Sequence, residues 1–238
     1  MLENRSTALI SIIQSGRALA LALTLALAIP ATSHAQPDAG AFFRSIVGEW
    51  IGVCEQSTDG EKADNKYFHF AVTQVDQRSF RSEFKYYRFD EATQSPLHIG
   101  DTTIVSTIEP DGTVRNDISG QGTILVDEKP KSAQHQLMET LSCSGESTLT
   151  GQITGKISIS GLLFGLGKNG EVHDAASNWT LDNGVLTIHQ SLKAGFRILF
   201  FTKNFTVVAH STARRGSDVV SLMTEAAQVA AGPTDRPS

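Results

Sequence analysis

The chain has 238 residues, a formal net charge of −5 and 40% hydrophobic residues. Because the sequence is mildly acidic and contains no basic stripe, its charge excludes nucleic acid as the main partner and argues against strong adhesion to an anionic membrane surface. Without an N-terminal leader, the remaining length fits one β-barrel or β-sandwich domain with its own core.

The first 35 residues have the layout of a secretory signal peptide. Arg5 and Arg17 supply a basic region, an Ala- and Leu-rich run follows at 18–29, and small residues precede a cleavage point after Ala35. The apolar run is shorter than the roughly 20 residues of a membrane span. We therefore expect a cleavable signal peptide over 1–35, a periplasmic or secreted protein, and no transmembrane segment in the mature chain. A later start codon and an uncleaved anchor are the alternatives.

Two cysteines, Cys54 and Cys143, lie in strand-like segments of the exported part. In an oxidising compartment such a pair predicts a disulfide, which would stabilise the fold by roughly 4–5 kcal/mol through closure of a long loop. The alternative is two small buried hydrophobic side chains that never meet. No Cys or His spacing in the sequence is typical of a zinc site or a thioredoxin-type site.

The mature chain opens with a short amphipathic helix and a glycine-rich strand. The helix is predicted over 39–47, where Phe42, Phe43, Ile46 and Val47 share one face and would plug one end of a sheet structure. From residue 48 the period becomes two. Gly48, Trp50, Gly52 and Cys54 then share a face, on which the two glycines leave room for the indole to lie against the backbone.

Strand-like runs recur along the rest of the chain and are closed by turn residues. Pro110-Asp111-Gly112 and Asp182-Asn183-Gly184 are the clearest hairpin turns. The run at 149–159 places two glycines on its inward face, which indicates a sheet that bends strongly or admits a neighbouring strand closely. The further predicted strands are 67–75, 80–89, 102–109, 113–119, 124–127, 134–142, 177–181, 185–192, 196–201 and 205–212.

Many short strands with no long helix between them predict an all-β antiparallel domain. We favour an up-and-down barrel, because closure removes the exposed edges of so large a sheet, and keep a two-sheet sandwich as the alternative. The predicted domain spans 36–215. The tail at 216–238 is expected to be weakly helical or disordered.

The short helix, the Gly48-x-Trp50 strand, the run of hairpins and a basic residue after the last strand resemble the calycins, the lipocalins and lipocalin-like bacterial domains. In that family the Trp closes the barrel base and packs against an Arg near the end of the last strand, so the resemblance implies that Arg214 or Arg215 packs on Trp50. The Thr-Asp-Tyr turn of the family has no match here. The opening Gly48-x-Trp50-x-Gly52 is also similar to nitrobindin-like haem barrels.

We expect no cofactor and no metal, because the sequence contains neither HxH nor HExxH. Haem is a minority alternative, with His189 or His210 facing a cavity as the axial ligand, against a solvent-facing position for both. No nucleophile pattern is present, so we expect no enzymatic activity. The apolar run Gly161–Gly167 is interpreted as a buried connection, a cap of the barrel mouth or a contact with lipid or protein.

The first functional hypothesis is an exported barrel that holds a small apolar ligand. Its expected cavity lining is Phe68, Phe70, Phe80, Phe84, Tyr86 and Trp179. A filled core would argue against this hypothesis. The alternative is an envelope interaction or structural module that uses the Gly161–Gly167 run or the tail, with an unknown protein partner. A small outer-membrane barrel is disfavoured because the C-terminus is polar and lacks a terminal aromatic residue.

Overall fold

The structure, a computed structural model, describes residues 38–62, 65–90, 92–93, 95–126, 129–163, 166–198 and 201–230. The predicted signal peptide and residues 231–238 of the predicted tail lie outside the described residues. The described elements are α1 (Ala39–Ile46), β1 (Gly48–Thr58), β2 (Glu61–Lys62), β3 (Lys66–Gln74), β4 (Ser79–Asp90), β5 (Ser95–Ile108), β6 (Val114–Val126), β7 (Lys129–Gly145), β8 (Thr148–Leu163), β9 (Leu166–Asp182), β10 (Val185–Ile198), β11 (Phe201–Arg215) and α2 (Val219–Ala230).

The strands form a closed antiparallel barrel. Each strand from β3 to β10 pairs with the next, β3 pairs with β1, and β11 pairs back with β1 from Trp50–Arg215 to Thr58–Val207. The two-residue β2 pairs only with the end of β1, so ten strands make up the wall in the described part of the chain. This closure confirms the predicted all-β antiparallel barrel with a short N-terminal helix and rejects the two-sheet sandwich.

The barrel has two different ends. We call one end the base; it carries α1 and the turns β3–β4, β5–β6, β7–β8 and β9–β10. We call the opposite end the mouth; it carries the remaining connections between strands. The β9–β10 turn is the predicted Asn183-Gly184 turn, with positive φ of 48° and 77° as a type I′ turn requires. Asp111 accepts bonds from the Thr113 amide and hydroxyl in the predicted β5–β6 turn.

The core of the base half is filled by α1 and aromatic side chains. Asp38 caps the helix by accepting from the Gly40 amide at 2.8 Å. The Phe43 ring then lies 5.4 Å from Phe80 and 6.4 Å from Trp179. The helix therefore plugs the base, as its apolar face predicted.

Strands β6 and β7 are longer than the sequence indicated. The sequence predicted separate strands at 113–119 and 124–127, yet β6 runs unbroken to Val126 and pairs with β7 along its whole length. A Cβ at Gly120 would lie 2.5 Å from the His135 ring. The glycine is therefore a site of close approach within a continuous strand. In β8 the register with β9 shifts between Ile153 and Gly155. A Cβ at Gly155 would lie 2.3 Å from the carbonyl oxygen of Gln136 on β7, so this glycine admits its neighbour closely.

Helix α2 packs against the outer face of the barrel. Val219 and Met223 are buried against Ile51 and against the half-buried rings of Tyr67 and Tyr87. This helix lies within the segment for which the sequence predicted weak helix or disorder. No helix among the described residues is long and apolar enough to cross a membrane.

The predicted disulfide between Cys54 and Cys143 is wrong, because both thiols are free in the structure. Cys54 lies on β1 towards the mouth, level with Lys66 and Ser211. Cys143 lies on β7 at the base, where burial and then the charge of Asp38 raise the pKa of its thiol. The two cysteines therefore lie on opposite sides of the barrel wall, on strands that are five apart in either direction.

Candidate functional site

The base is closed by Trp50 and Arg215. The Trp50 indole nitrogen donates to the carbonyl of Ile46 at 2.7 Å, and the guanidinium carbon of Arg215 lies 4.3 Å from the centroid of the indole ring. Arg215 also donates to the carbonyl oxygens of Val47 and Ser45, so it caps the C-terminal end of α1. Of the two arginines considered from sequence, the structure places Arg215 at this closure.

Arg214 faces outwards and forms an ion pair with Glu225 of α2 at 2.9 Å. Gly48 has a φ of 119°, and a Cβ there would lie 2.5 Å from the Arg215 guanidinium. A Cβ at Gly52 would meet the Phe68 ring at 2.5 Å. The two glycines therefore make room for Arg215 and Phe68, whereas the sequence had assigned that room to the indole.

The aromatic side chains that we expected to line a cavity form a packed floor. Phe70 and Phe84 stack with their centroids 4.4 Å apart, and Trp50 stacks on Phe70 at 6.1 Å. Phe68, Phe70, Phe80, Phe84 and Trp179 are all buried. Of the six expected lining residues, only Tyr86 is less than fully buried; it is half-buried at the top of this stack. The filled core that argues against an apolar cavity is therefore present in the base half.

Above this floor, on the β7–β11 side, two small apolar clusters are buried: Ile153 with Val172 and Ala175, and Ile159 with Ala194 and Phe196. Other apolar side chains of this wall are only half-buried, and Leu137, Ile157 and Leu192 among them pack on these clusters. These half-buried apolar residues are Leu137, Ile157, Leu192, Val207 and Ala209. We call the mouth half, with this partly buried apolar wall above the filled base, the cup.

The opposite side of the cup carries a lysine inside the barrel. Lys66 is the register partner of Cys54, on the same face as buried Phe68 and Phe70. Its ammonium donates to the Gln56 side-chain oxygen at 2.7 Å, and Lys66 takes part in none of the ion pairs formed by the described residues. Burial lowers the pKa of Lys66. This cation therefore lacks a carboxylate partner in the described part of the chain.

Arg88 lies next to Lys66 across the β3–β4 pairing, one position beyond the Tyr67–Tyr87 pair. Tyr87 and Phe89, on either side of it, pack on the outer face under α2, so the alternation of the strand turns Arg88 inwards. It too belongs to none of the ion pairs of the described residues. The mouth therefore presents two cations on one side.

Polar groups mark the boundary between floor and cup. Burial raises the pKa of Tyr86, whose hydroxyl bonds to Thr102. The Thr102 hydroxyl also lies 3.4 Å from Nε2 of His135, and burial lowers the pKa of that imidazole. His135 is therefore held neutral over a wider pH range than an exposed histidine.

A second polar group is enclosed in the base half. Glu139 is fully buried and accepts from the Asn116 amide at 2.6 Å and from the Trp179 indole at 3.3 Å. Burial raises the pKa of Glu139, while bonds from Ser177, Asn116 and Trp179 oppose the shift. Asn116 Oδ1 and the Ser106 hydroxyl have no partner, although both residues are buried. The network is enclosed by the filled core, so we read it as a structural element.

His189 and His210 lie on the outer face, where they are exposed and form a cross-strand pair with ring centroids 6.0 Å apart. The minority expectation that one of them faces a cavity as a haem ligand therefore does not fit their position. Among the described residues no group of three His, Cys, Asp or Glu side chains could hold a metal ion.

A polar trough of about 490 Å³ lies outside the barrel across β5–β9. Amide and hydroxyl side chains line it, including Gln121, Gln134 and Ser158. It has no apolar wall comparable to that of the cup. The cup combines an apolar wall with unpaired cations, which makes it the stronger candidate site.

Sequence reasoning missed Lys66, Arg88 and Glu139. The signal was present for Glu139, which interrupts an apolar face between Leu137 and Leu141. Lys66 directly precedes the predicted strand at 67–75, whose inward positions are Phe68 and Phe70. Extending the alternation of that strand back by one step would have placed Lys66 inside the barrel.

Comparisons with known proteins identify no family for this chain. No family model matches it, and no curated protein matches it. A solved structure of an S-type phycobiliprotein lyase from Guillardia theta is similar, at 10% identity and a TM-score of 0.38, over 76% of this chain and 94% of that chain.

This match contradicts the expectation that the chain has no enzymatic activity, because the matched protein is named as a lyase. That expectation is withdrawn. A TM-score this low assigns neither a reaction nor a ligand to this chain.

Proposed function

We propose that this protein is an exported, lipocalin-like barrel that binds a small amphipathic molecule with an apolar body and an anionic group. The observation that supports this proposal most directly is the position of the Lys66 ammonium inside the barrel mouth. Among the described residues it bonds only to the Gln56 amide oxygen. A cation removed from water without a carboxylate partner is costly, and an anionic ligand would offset that cost. Export is proposed from the signal-like layout of residues 1–35.

The apolar part of the ligand would lie against the opposite wall. Leu137, Ile157 and Leu192 are half-buried there, so covering them with an apolar chain removes further surface from water. The filled base limits the depth to which a ligand can enter. A purely apolar ligand buried at the bottom of the barrel, as first expected, is therefore replaced by one held at the mouth with its charged group beside Lys66 and Arg88.

The test compares two fluorescent probes of equal length, cis-parinaric acid and its methyl ester. We expect the acid to bind more tightly than the ester, since only the acid carries a charge for Lys66. The Lys66→Met variant should weaken acid binding about tenfold and leave ester binding almost unchanged, because one charge-assisted hydrogen bond is lost.

Lys62→Met is the matched control, because Lys62 lies near the same end of the barrel but is exposed. Its effect on either probe should be small. Equal binding of acid and ester by the unchanged protein, or equal losses in the two lysine variants, would contradict the proposal.

The lowered pKa of Lys66 adds a pH dependence. A lysine whose pKa is lowered loses its charge at a lower pH than an exposed lysine, so affinity for the acid should fall earlier as the pH rises. Lys66→Arg should keep acid binding over the same alkaline range, because guanidinium stays protonated.

A further inference from the structure

Strands β10 and β11 hold two histidines side by side on the outer face of the barrel. His189 and His210 are register partners, and their ring centroids lie 6.0 Å apart. Both side chains are exposed. The sequence patterns HxH and HExxH describe ligands within one element, so they do not reveal a pair that the register of two strands creates.

The imidazole nitrogens of this pair are not engaged by the protein. Within the described part of the chain, neither side chain forms a hydrogen bond or an ion pair, and the contact between the two rings is their only interaction. The exposed ring of His98 differs, because it bonds to the Asp101 carboxylate at 3.0 Å. A neutral imidazole carries one nitrogen with an available lone pair. The pair therefore offers two such nitrogens to a ligand from solution.

The spacing of the two rings suits a shared metal ion. Residues directly opposite each other on antiparallel strands have Cβ atoms about 4.5–5.5 Å apart. A metal such as zinc lies about 2 Å from an imidazole nitrogen, so two imidazoles on one ion have ring centroids roughly 4.5–6.5 Å apart, depending on the angle at the metal. The observed separation of 6.0 Å lies within this range. Side-chain rotation at two exposed positions is therefore enough to bring one nitrogen of each ring onto the same ion.

The surroundings of the pair favour a cation. Glu55 of β1 is the register partner of His210, is exposed, and belongs to none of the ion pairs of the described residues. The register partner of His189 on β9 is the uncharged Asn178. The next positions on the outer face of β10 and β11 are also uncharged, namely Thr187, Ser191, Val208 and Thr212. An ion at the pair would therefore meet one negative charge and no positive charge at these positions.

The ligand type selects the class of metal. Imidazole suits zinc, copper and nickel, and the affinity of divalent first-row ions for such sites is highest for Cu²⁺. Calcium and magnesium prefer oxygen ligands. Two protein ligands leave the remaining positions of the ion to water, which agrees with the absence of a group of three His, Cys, Asp or Glu ligands among the described residues. A site of this kind is open to solvent and exchangeable, unlike a closed structural site with four protein ligands.

We propose that His189 and His210 form a binding site for a divalent transition metal on the outer face of the barrel, with Cu²⁺ as the ion held most tightly. One nitrogen of each imidazole binds the ion, water completes its coordination, and the Glu55 carboxylate adds negative charge beside it. The site joins β10 to β11, next to the seam at which β11 closes on β1. It does not rest on the proposed ligand, because both rings face away from the cup.

The experiment is titration of the full chain with Cu²⁺, followed by calorimetry and by electron paramagnetic resonance. We expect the first equivalent of Cu²⁺ to show hyperfine coupling to two imidazole nitrogens, and Zn²⁺ to compete for the site more weakly. His189→Asn and His210→Asn should each weaken Cu²⁺ binding about tenfold or more, because an ion held by two ligands of one chain is left with one. Both variants should also lose the rise in melting temperature that bound Cu²⁺ gives to the unchanged protein.

His98→Asn is the matched control, because His98 is equally exposed but lies beside a carboxylate and has no second histidine opposite it. It should bind Cu²⁺ like the unchanged protein, as should Cys143→Ser, which removes the less buried of the two thiols. Circular dichroism checks that each variant is folded. Absence of Cu²⁺ binding, coupling to a single nitrogen in the unchanged protein, or equal binding by folded His189 and His210 variants would overturn the proposal. Loss of binding in Cys143→Ser would overturn it in favour of a thiol site.

Discussion

The two halves of this barrel use the same strands for different purposes. In the base half, Phe70, Leu141 and Leu186 are fully buried and α1 fills the remaining space. In the mouth half, Leu137 and Leu192 of the same strands are only half-buried, and the buried residues form two small separate clusters. Stability is therefore concentrated at one end, which leaves the other end free to carry unpaired charge and open apolar surface.

The largest expected effect compares a core residue of each half. Phe70→Ala should lower the free energy of unfolding by about 4 kcal/mol, because it leaves a cavity in packed aromatic surroundings. Leu192→Ala should cost only about 1 kcal/mol, because part of that side chain already meets solvent. Urea unfolding of both variants measures the difference, and similar losses would mean that the mouth is as well packed as the base.

The closure of the base gives the next effect. Arg215→Met removes the bonds to the carbonyls of Ser45 and Val47 and the contact with Trp50, at a cost of about 2 kcal/mol. Arg214→Met breaks an exposed ion pair with Glu225 and should change stability by less than about 0.5 kcal/mol. Equal melting temperatures for the two variants would contradict the assignment of Arg215 as the closing residue.

Glu139 gives the base half a pH dependence. Since burial raises its pKa in the folded state, the folded protein holds the proton more tightly than the unfolded chain. Stability should therefore be fully present below the unfolded pKa of about 4.3 and fall as the pH rises through the folded value, by about 1.4 kcal/mol for each unit of difference.

Glu139→Gln should remove this fall, so the variant gains stability over the unchanged protein as the pH rises. The new amide can also donate to Asn116 Oδ1, which has no partner. Unfolding free energies measured from pH 4 to pH 8 decide the matter, and parallel curves for the two proteins would show that Glu139 does not titrate differently on folding.

The smallest effect is expected at Lys66. Replacing this unpaired cation with Met should leave stability unchanged or raise it by up to about 1 kcal/mol, since a costly buried charge is removed. Thermal unfolding measures this, beside the loss of acid binding already described. A marked destabilisation by Lys66→Met would show that the lysine supports the fold and has no need of a ligand.

The alternation of apolar residues and the turn residues predicted the barrel well. Asn183-Gly184 and Pro110-Asp111-Gly112 each sit at a turn between two strands, and the apolar face of 39–47 placed the plug. These signals are local, so a single sequence reveals them. The strand predicted to end at 119 continues to Val126, and the role of Gly120 within it depends on His135, a residue of the neighbouring strand.

The candidate site was predicted less well for the same reason. Phe68, Phe70, Phe80, Phe84 and Trp179 were correctly placed on inward faces, but the alternation of a strand does not tell the height at which a residue sits in the barrel. Height depends on the register between strands and on where α1 enters. Cys54 and Cys143 do not pair because β1 and β7 lie on opposite sides of the barrel wall, five strands apart in either direction.

The pairing of the first strand with the last has a consequence for how the chain folds. Arg215 bonds to Val47, 168 positions earlier, and every register pair of β1 with β11 spans a similar distance. Contacts between such distant positions form slowly, because a long loop must close before they contribute. Until the C-terminal strand arrives, β1 and β10 each present an open edge that invites aggregation. A chain truncated before β11 should therefore be insoluble, and the last step of folding should be the closing of this seam.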